Sequence, residues 1–78
     1  MDNLDNISNR LAKFIKSKRK ENNLTQEQLS EISTIDYKQI QNLESFKKVN
    51  NPRLSTFIKL SKAFNISVEK IISIIFKK

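Results

Sequence analysis

Glycine, cysteine and histidine are all missing from these 78 residues, and proline occurs once, as Pro52. Without cysteine there is no disulfide and no thiol chemistry. Without histidine the commonest general base is gone, and with both absent so are the usual zinc ligands. The lack of glycine rules out a Gly-rich phosphate loop. It also leaves left-handed backbone positions to asparagine, the next most tolerant residue. Asn22-Asn23, Asn50-Asn51 and Asn65 all stand in gaps between segments of apolar periodicity. No apolar run approaches the ~18 residues of a membrane span. The opening Met1-Asp2-Asn3-Leu4-Asp5-Asn6 is polar and acidic, unlike a signal peptide, so a cytoplasmic location is expected. A chain of this length makes one domain and buries only about 60% of the surface it exposes when unfolded, which argues against a deep catalytic cleft. No metal, cofactor or small-molecule ligand is expected.

What the chain has in excess is positive charge. Lysine and arginine number 15 against 8 acidic residues, a net charge of +7. Such a balance favours polyanions, either nucleic acid or an acidic membrane.

The periodicity is helical throughout, with no strand alternation and no internal repeat. Residues 1–6 read as a tail or early turn, and 7–78 as a single domain. Ile7, Leu11, Phe14 and Ile15 form an apolar stripe spaced by three and four, with Ser8 or Asn6 placed to cap it and an end expected near Asn22-Asn23. Thr25-x-x-Gln28 matches a capping box. A very short second helix follows, with Leu29 and Ile32 expected inside. Ser33-Thr34-Ile35 reads as a turn, and Asp36 as the N-cap of a third helix with Ile40 and Leu43 inside. An irregular basic loop, Ser45 to Arg53, contains Pro52. The fourth helix draws its apolar side from Leu54, Phe57, Ile58, Leu60 (or Ser61) and Phe64, and ends at Asn65. Ser67 caps a fifth, with Val68, Ile71, Ile72, Ile74, Ile75 and Phe76. The expected fold is an all-α globule of five helices.

The third helix carries the functional signal. With Ile40 and Leu43 inward, Tyr37, Lys38, Gln41 and Asn42 lie on the opposite side, and Ser45 a turn further on. An α-helix fits the major groove of DNA. Asparagine and glutamine can bond an adenine edge bidentately, and lysine reaches the guanine acceptors. Thr25 and Gln26 stand at the start of the second helix, where free amides and the helix dipole favour a phosphate. A polar, solvated helix face explains such residues in an isolated amphipathic helix. Here they sit beside a capped two-turn helix and a three-residue turn, in a basic chain, and DNA is the better reading.

At this point the sequence resembles the phage-repressor-type, Xre-like helix-turn-helix family, whose lambda-repressor-like domains form the motif from helices 2 and 3. The resemblance spans about residues 8–75. It rests on Leu24-Thr25-Gln26-Glu27-Gln28-Leu29, on the Ile35…Ile40…Leu43-Glu44 spacing, on Pro52 with Leu54, and on Ile66-Ser67-Val68. It implies that Gln26 clamps a backbone phosphate and that Tyr37, Lys38, Gln41 and Asn42 read bases. It further implies that Ser45, Lys47 and Lys48 grip the sugar-phosphate backbone, that Arg53 points toward a minor groove, and that Arg19 and Glu44 form an internal salt bridge. The chain departs from the family pattern at Ser30, often alanine, and at Thr34 and Phe46, usually glycine. The loop from Glu44 to Pro52 is also longer than in many members. Thr34 implies a turn that avoids a strongly left-handed residue or tolerates strain. Phe46 is placed to pack on the core, stack near the DNA backbone or meet a partner, and the core is the first expectation.

One stripe of the fifth helix, Val68, Ile71 and Ile72, is expected to complete the core. That leaves Ile74, Ile75 and Phe76 as an exposed apolar patch and the interface of a homodimer. The function expected is sequence-specific regulation of transcription. A dimer would occupy an inverted-repeat operator and block RNA polymerase or touch it. With no sensory domain, control would come through its own concentration. Size and layout also resemble the controller proteins of restriction-modification systems. An antitoxin-like or partner-binding module that also binds DNA is the alternative. Membrane association through the fifth helix fits poorly, because its apolar residues wrap the helix. An enzyme is the weakest reading, since Asp36 and Glu44 are better used as cap and salt bridge and Asp2 and Asp5 fall in the tail.

Overall fold

The computed structural model describes residues 4–45 and 52–76. Within them the chain forms α1 (Leu4–Glu21), α2 (Gln26–Ser33), α3 (Tyr37–Leu43), α4 (Leu54–Phe64) and α5 (Val68–Ile75). There is no strand among the described residues. α1 starts earlier than the stripe from Ile7 implied, so residues 4–6 belong to the helix and not to a tail. Neither Asn6 nor Ser8 is its cap; Ser8 lies within the helix and is buried.

Local chemistry sets the helix ends. Thr25 and Gln28 form a reciprocal capping box: Gln28 N–H donates to Thr25 Oγ1 (3.0 Å), and Thr25 N–H donates to Gln28 Oε1 (2.8 Å). Ser67 Oγ accepts from Lys70 N–H at the start of α5. Asp36 holds the N-cap position of α3 without a side-chain hydrogen bond. Asn23 and Asn65 take the left-handed conformation just past α1 and α4. Each closes its helix in the same way. Leu24 N–H reaches Arg19 O and Asn23 N–H reaches Lys20 O, while Ile66 N–H reaches Ser61 O and Asn65 N–H reaches Lys62 O. These are Schellman closures made with asparagine where glycine is usual.

Thr34 is the third left-handed residue (φ 61°) and the costliest, because a β-branched side chain crowds the backbone there. The turn around it is held by two serines. Ser30 Oγ donates to Ile35 O (2.6 Å), and Ile35 N–H donates to Ser33 Oγ (3.1 Å). The hydroxyl at Ser30, where the family often has alanine, therefore pins the chain as it leaves the strained residue.

The core runs through all five helices: Leu11, Phe14 and Ile15 of α1, Leu29 of α2, Ile40 and Leu43 of α3, Phe57 and Leu60 of α4, and Ile71 and Ile75 of α5, with Ile35 from the turn. Phe14 and Phe64 meet edge to face with ring centres 6.0 Å apart. α1 packs on α3 and α5, α2 on α3 and α4, and α4 on α5. In α2 and α4, three aliphatic residues expected inside lie outside. α2 buries Leu29 and Ser33, one turn apart, and so rotates Ile32 out to 54% exposure. α4 buries Thr56, Phe57 and Leu60, leaving Leu54 and Ile58 at the surface.

One ionic contact ties the first three helices together. Arg19 Nε donates to Glu44 Oε2 (2.7 Å) and Nη2 to Glu44 Oε1 (2.8 Å), while Nη1 donates to Leu24 O (2.9 Å). Glu44 is almost fully buried. The bond to Glu44 pushes the Arg19 guanidinium up from its ordinary pKa, against the opposing effect of burial. The forked geometry satisfies both carboxylate oxygens.

Two stability outcomes are expected. Arg19→Ala strands a buried carboxylate and lowers stability by about 3–5 kcal/mol, whereas Arg19→Leu with Glu44→Leu recovers most of the loss. Thermal unfolding of the single and double variants distinguishes this from simple loss of a surface charge. Thr34→Gly relieves the left-handed strain and raises stability by about 1 kcal/mol; the check is a higher urea midpoint at unchanged m-value.

Candidate nucleic-acid interface

α3 is positioned from behind. Ile40 and Leu43 are buried on its inner side, and Glu44, just past its end, is held by Arg19. Successive residues turn by about 100°, so Lys38, Gln41, Asn42 and Ser45 fall on the outer arc, with Tyr37 and Gln39 on its flanks. Tyr37, Lys38 and Gln41 are exposed, while Asn42 and Ser45 are half-buried. The structure thus brings five of the expected contact residues onto one surface carrying an ammonium, two carboxamides and two hydroxyls, with no acid.

At the start of α2, Thr25 is exposed but its hydroxyl oxygen is already engaged in the capping box. Gln26, half-buried, is the first helical residue, beside the amides that a helix leaves unpaired at its start. Arg53 is exposed as the N-cap of α4 and makes no side-chain capping bond. Lys47, Lys48 and Phe46 lie outside the described residues.

Two further residues join this surface. Gln39 Nε2 donates to Thr56 Oγ1 (3.3 Å), linking the flank of α3 to the first turn of α4. Together with Ile35, Arg53, Ser55 and Lys59 they line a polar cleft of about 410 Å³. Gln39 and Lys59 were not singled out by sequence. Nothing in the sequence sets Gln39 apart from other polar helix residues, and Lys59 joins Arg53 only through the way α4 packs. The polar residues Ser55 and Lys59, four apart on α4, were the available signal. Among the described residues no group of acidic side chains could hold a metal ion.

On α5 the expected interface changes. Ile75 is fully buried and belongs to the core, so its assignment to an exposed patch is corrected. Ile71 and Ile75 point inward one turn apart, and that register turns Ile72 (38% exposed) and Phe76 (45% exposed) outward; Ile74 is half-buried against the core. The core stripe expected from Val68, Ile71 and Ile72 is corrected accordingly at Ile72.

A family model described as helix-turn-helix matches residues 15–71. The chain is 46% identical over 63 residues to Control protein C.SmaI of Serratia marcescens, an alignment covering 81% of this chain and 73% of that protein. No solved structure matches. With a capped α2, a three-residue turn and an α3 whose outer face carries polar side chains, the chain belongs to the helix-turn-helix family of DNA-binding transcriptional regulators.

Proposed function

We propose that this regulator acts as a homodimer on an inverted-repeat operator, with α3 of each protomer in the major groove. The outer arc of α3 carries the reading. Lys38, Gln41 and Asn42 are the residue types that discriminate base edges, and Tyr37 flanks them. Gln26 at the start of α2 and Arg53 at the start of α4 are proposed as backbone contacts, with Ser45, Lys47 and Lys48 in the same role. The polar cleft beside Arg53 suits a further phosphate, with Lys59 supplying a second cation.

Dimerisation is proposed through α5. Ile72 and Phe76 are four residues apart and share one exposed face of that helix. A two-fold axis there buries the same pair on both protomers and sets two recognition helices about 34 Å apart, one turn of DNA. Occupancy that blocks or touches RNA polymerase then alters promoter firing. The name of the Serratia relative supports a controller of this kind. No described helix is long and apolar enough to cross a membrane, and a regulator of this class works in the cytoplasm.

Selection from a random duplex pool is expected to recover a two-fold symmetric motif, and Gln41→Ala to cost roughly 1–3 kcal/mol on it and relax preference at one base position. Equal losses on selected and random DNA would remove Gln41 from base reading. Phe76→Asp, alone or with Ile72→Asp, is expected to shift sedimentation toward monomer and weaken operator binding. An unchanged sedimentation profile would place the interface elsewhere.

A further inference from the structure

The apolar surface left by the rotation of α2 and α4 forms a strip. Ile32 (54% exposed) and Ile58 (40% exposed) line one cleft of about 430 Å³ between the two helices, with Thr34 beside them. Leu54 (65% exposed) stands one turn before Ile58 on α4 and extends the strip. Single exposed aliphatic residues are ordinary on protein surfaces, but three adjoining ones mark an interaction site. The fold does not need them there, since all three point away from the core. None of the residues proposed to read bases lines this cleft, and neither does the Ile72–Phe76 face of α5; Ser55 and Lys59 are shared with the neighbouring polar cleft beside Arg53.

The rim identifies the partner. Lys59 and Lys62 border the cleft, and no acidic residue lines it. Their hydrocarbon stems add to the apolar floor, while their ammonium groups stay in water within reach of a bound segment. A second copy of this chain is a poor occupant, because a two-fold axis through the cleft would gather four lysines with no acid between them. DNA is a poor occupant as well, since phosphates gain nothing from an isoleucine floor. We propose that the α2–α4 cleft docks an acidic amphipathic helix of a partner protein. Its apolar side would cover Ile32, Ile58 and Leu54, and its carboxylates would meet Lys59 and Lys62. The groove between two helices suits a third helix anchored at i, i+3, i+4 and i+7.

The test uses the full chain, isotopically labelled, and two synthetic amphipathic helices with identical leucines, one with glutamates on the polar side and one with lysines. The glutamate peptide is expected to bind saturably and to shift amide signals at Ile32, Thr34, Ile58, Lys59 and Lys62. The lysine peptide, and the glutamate peptide against Ile32→Ser/Ile58→Ser protein, are expected to bind roughly ten-fold more weakly or less. Operator affinity and sedimentation of that variant should match the parent protein, which separates this site from DNA binding and from the α5 dimer. Equal binding of the two peptides, shifts centred on Tyr37 and Gln41 or on Ile72 and Phe76, or a changed oligomeric state of the double variant would each overturn the proposal.

Discussion

The Arg19–Glu44 pair is the contact on which the rest of the arrangement depends. Three short helices of seven, eight and eleven residues cannot hold their own orientation, because isolated helices of that length are marginal in water. α3 is the shortest, and it is also the one proposed to enter the groove, where its angle matters most. Arg19 fixes it by gripping Glu44 at its end and, with the same guanidinium, the carbonyl of Leu24 just before α2. The end of α1 thereby becomes a bracket for the motif. A buried ion pair adds little net stability over a well-packed apolar substitute. Its contribution is geometric, since only the forked arrangement satisfies both oxygens and the carbonyl at once.

The rest of the molecule divides its surface by chemistry. The outer arc of α3, the start of α2 and the start of α4 present amides, hydroxyls and cations. α5 presents Ile72 and Phe76, and the α2–α4 cleft presents isoleucines bordered by lysines. The core that supports all three is continuous, and no element buries only its own residues. The positions of these surfaces are therefore set by the same few inward-facing residues, and a repacking of Leu29 or Leu60 would move more than one of them.

Much of this was legible in the sequence where the governing chemistry is local. Capping boxes, an N-cap serine and asparagines after the helices are short-range signals, and the ends of α2, α4 and α5 follow them closely. The outer face of α3 was legible because Ile40 and Leu43 leave only one way to turn the helix. The short helices beside it were harder. In α2 the pairs Leu29–Ile32 and Leu29–Ser33 both fit helical spacing, and packing against α4 selects the serine. In α5, isoleucines at 71, 72, 74 and 75 surround the helix, so hydrophobicity cannot rank them; contact with α1 and α4 draws in Ile71 and Ile75. Thr34 was read as either a milder turn or a strained one. The backbone takes the strained option, and the hydroxyls of Ser30 and Ser33 hold it. The link between Gln39 and Thr56 depends on how two helices lie in space, and no sequence spacing encodes it.

The closing of α5 onto α1 bears on how the chain is born. Arg10 Nη1 donates to Ile75 O at 3.1 Å across 65 residues, and Ile71 and Ile75 fill the gap between those helices. A nascent chain emerging from the ribosome makes its helices in order. The contacts of α1 with α5 form only once α5 has been made, long after α1. Until then, α1 has only the earlier helices to pack against. A portion of the chain without α5 therefore lacks two fully buried residues of the core, Ile71 and Ile75.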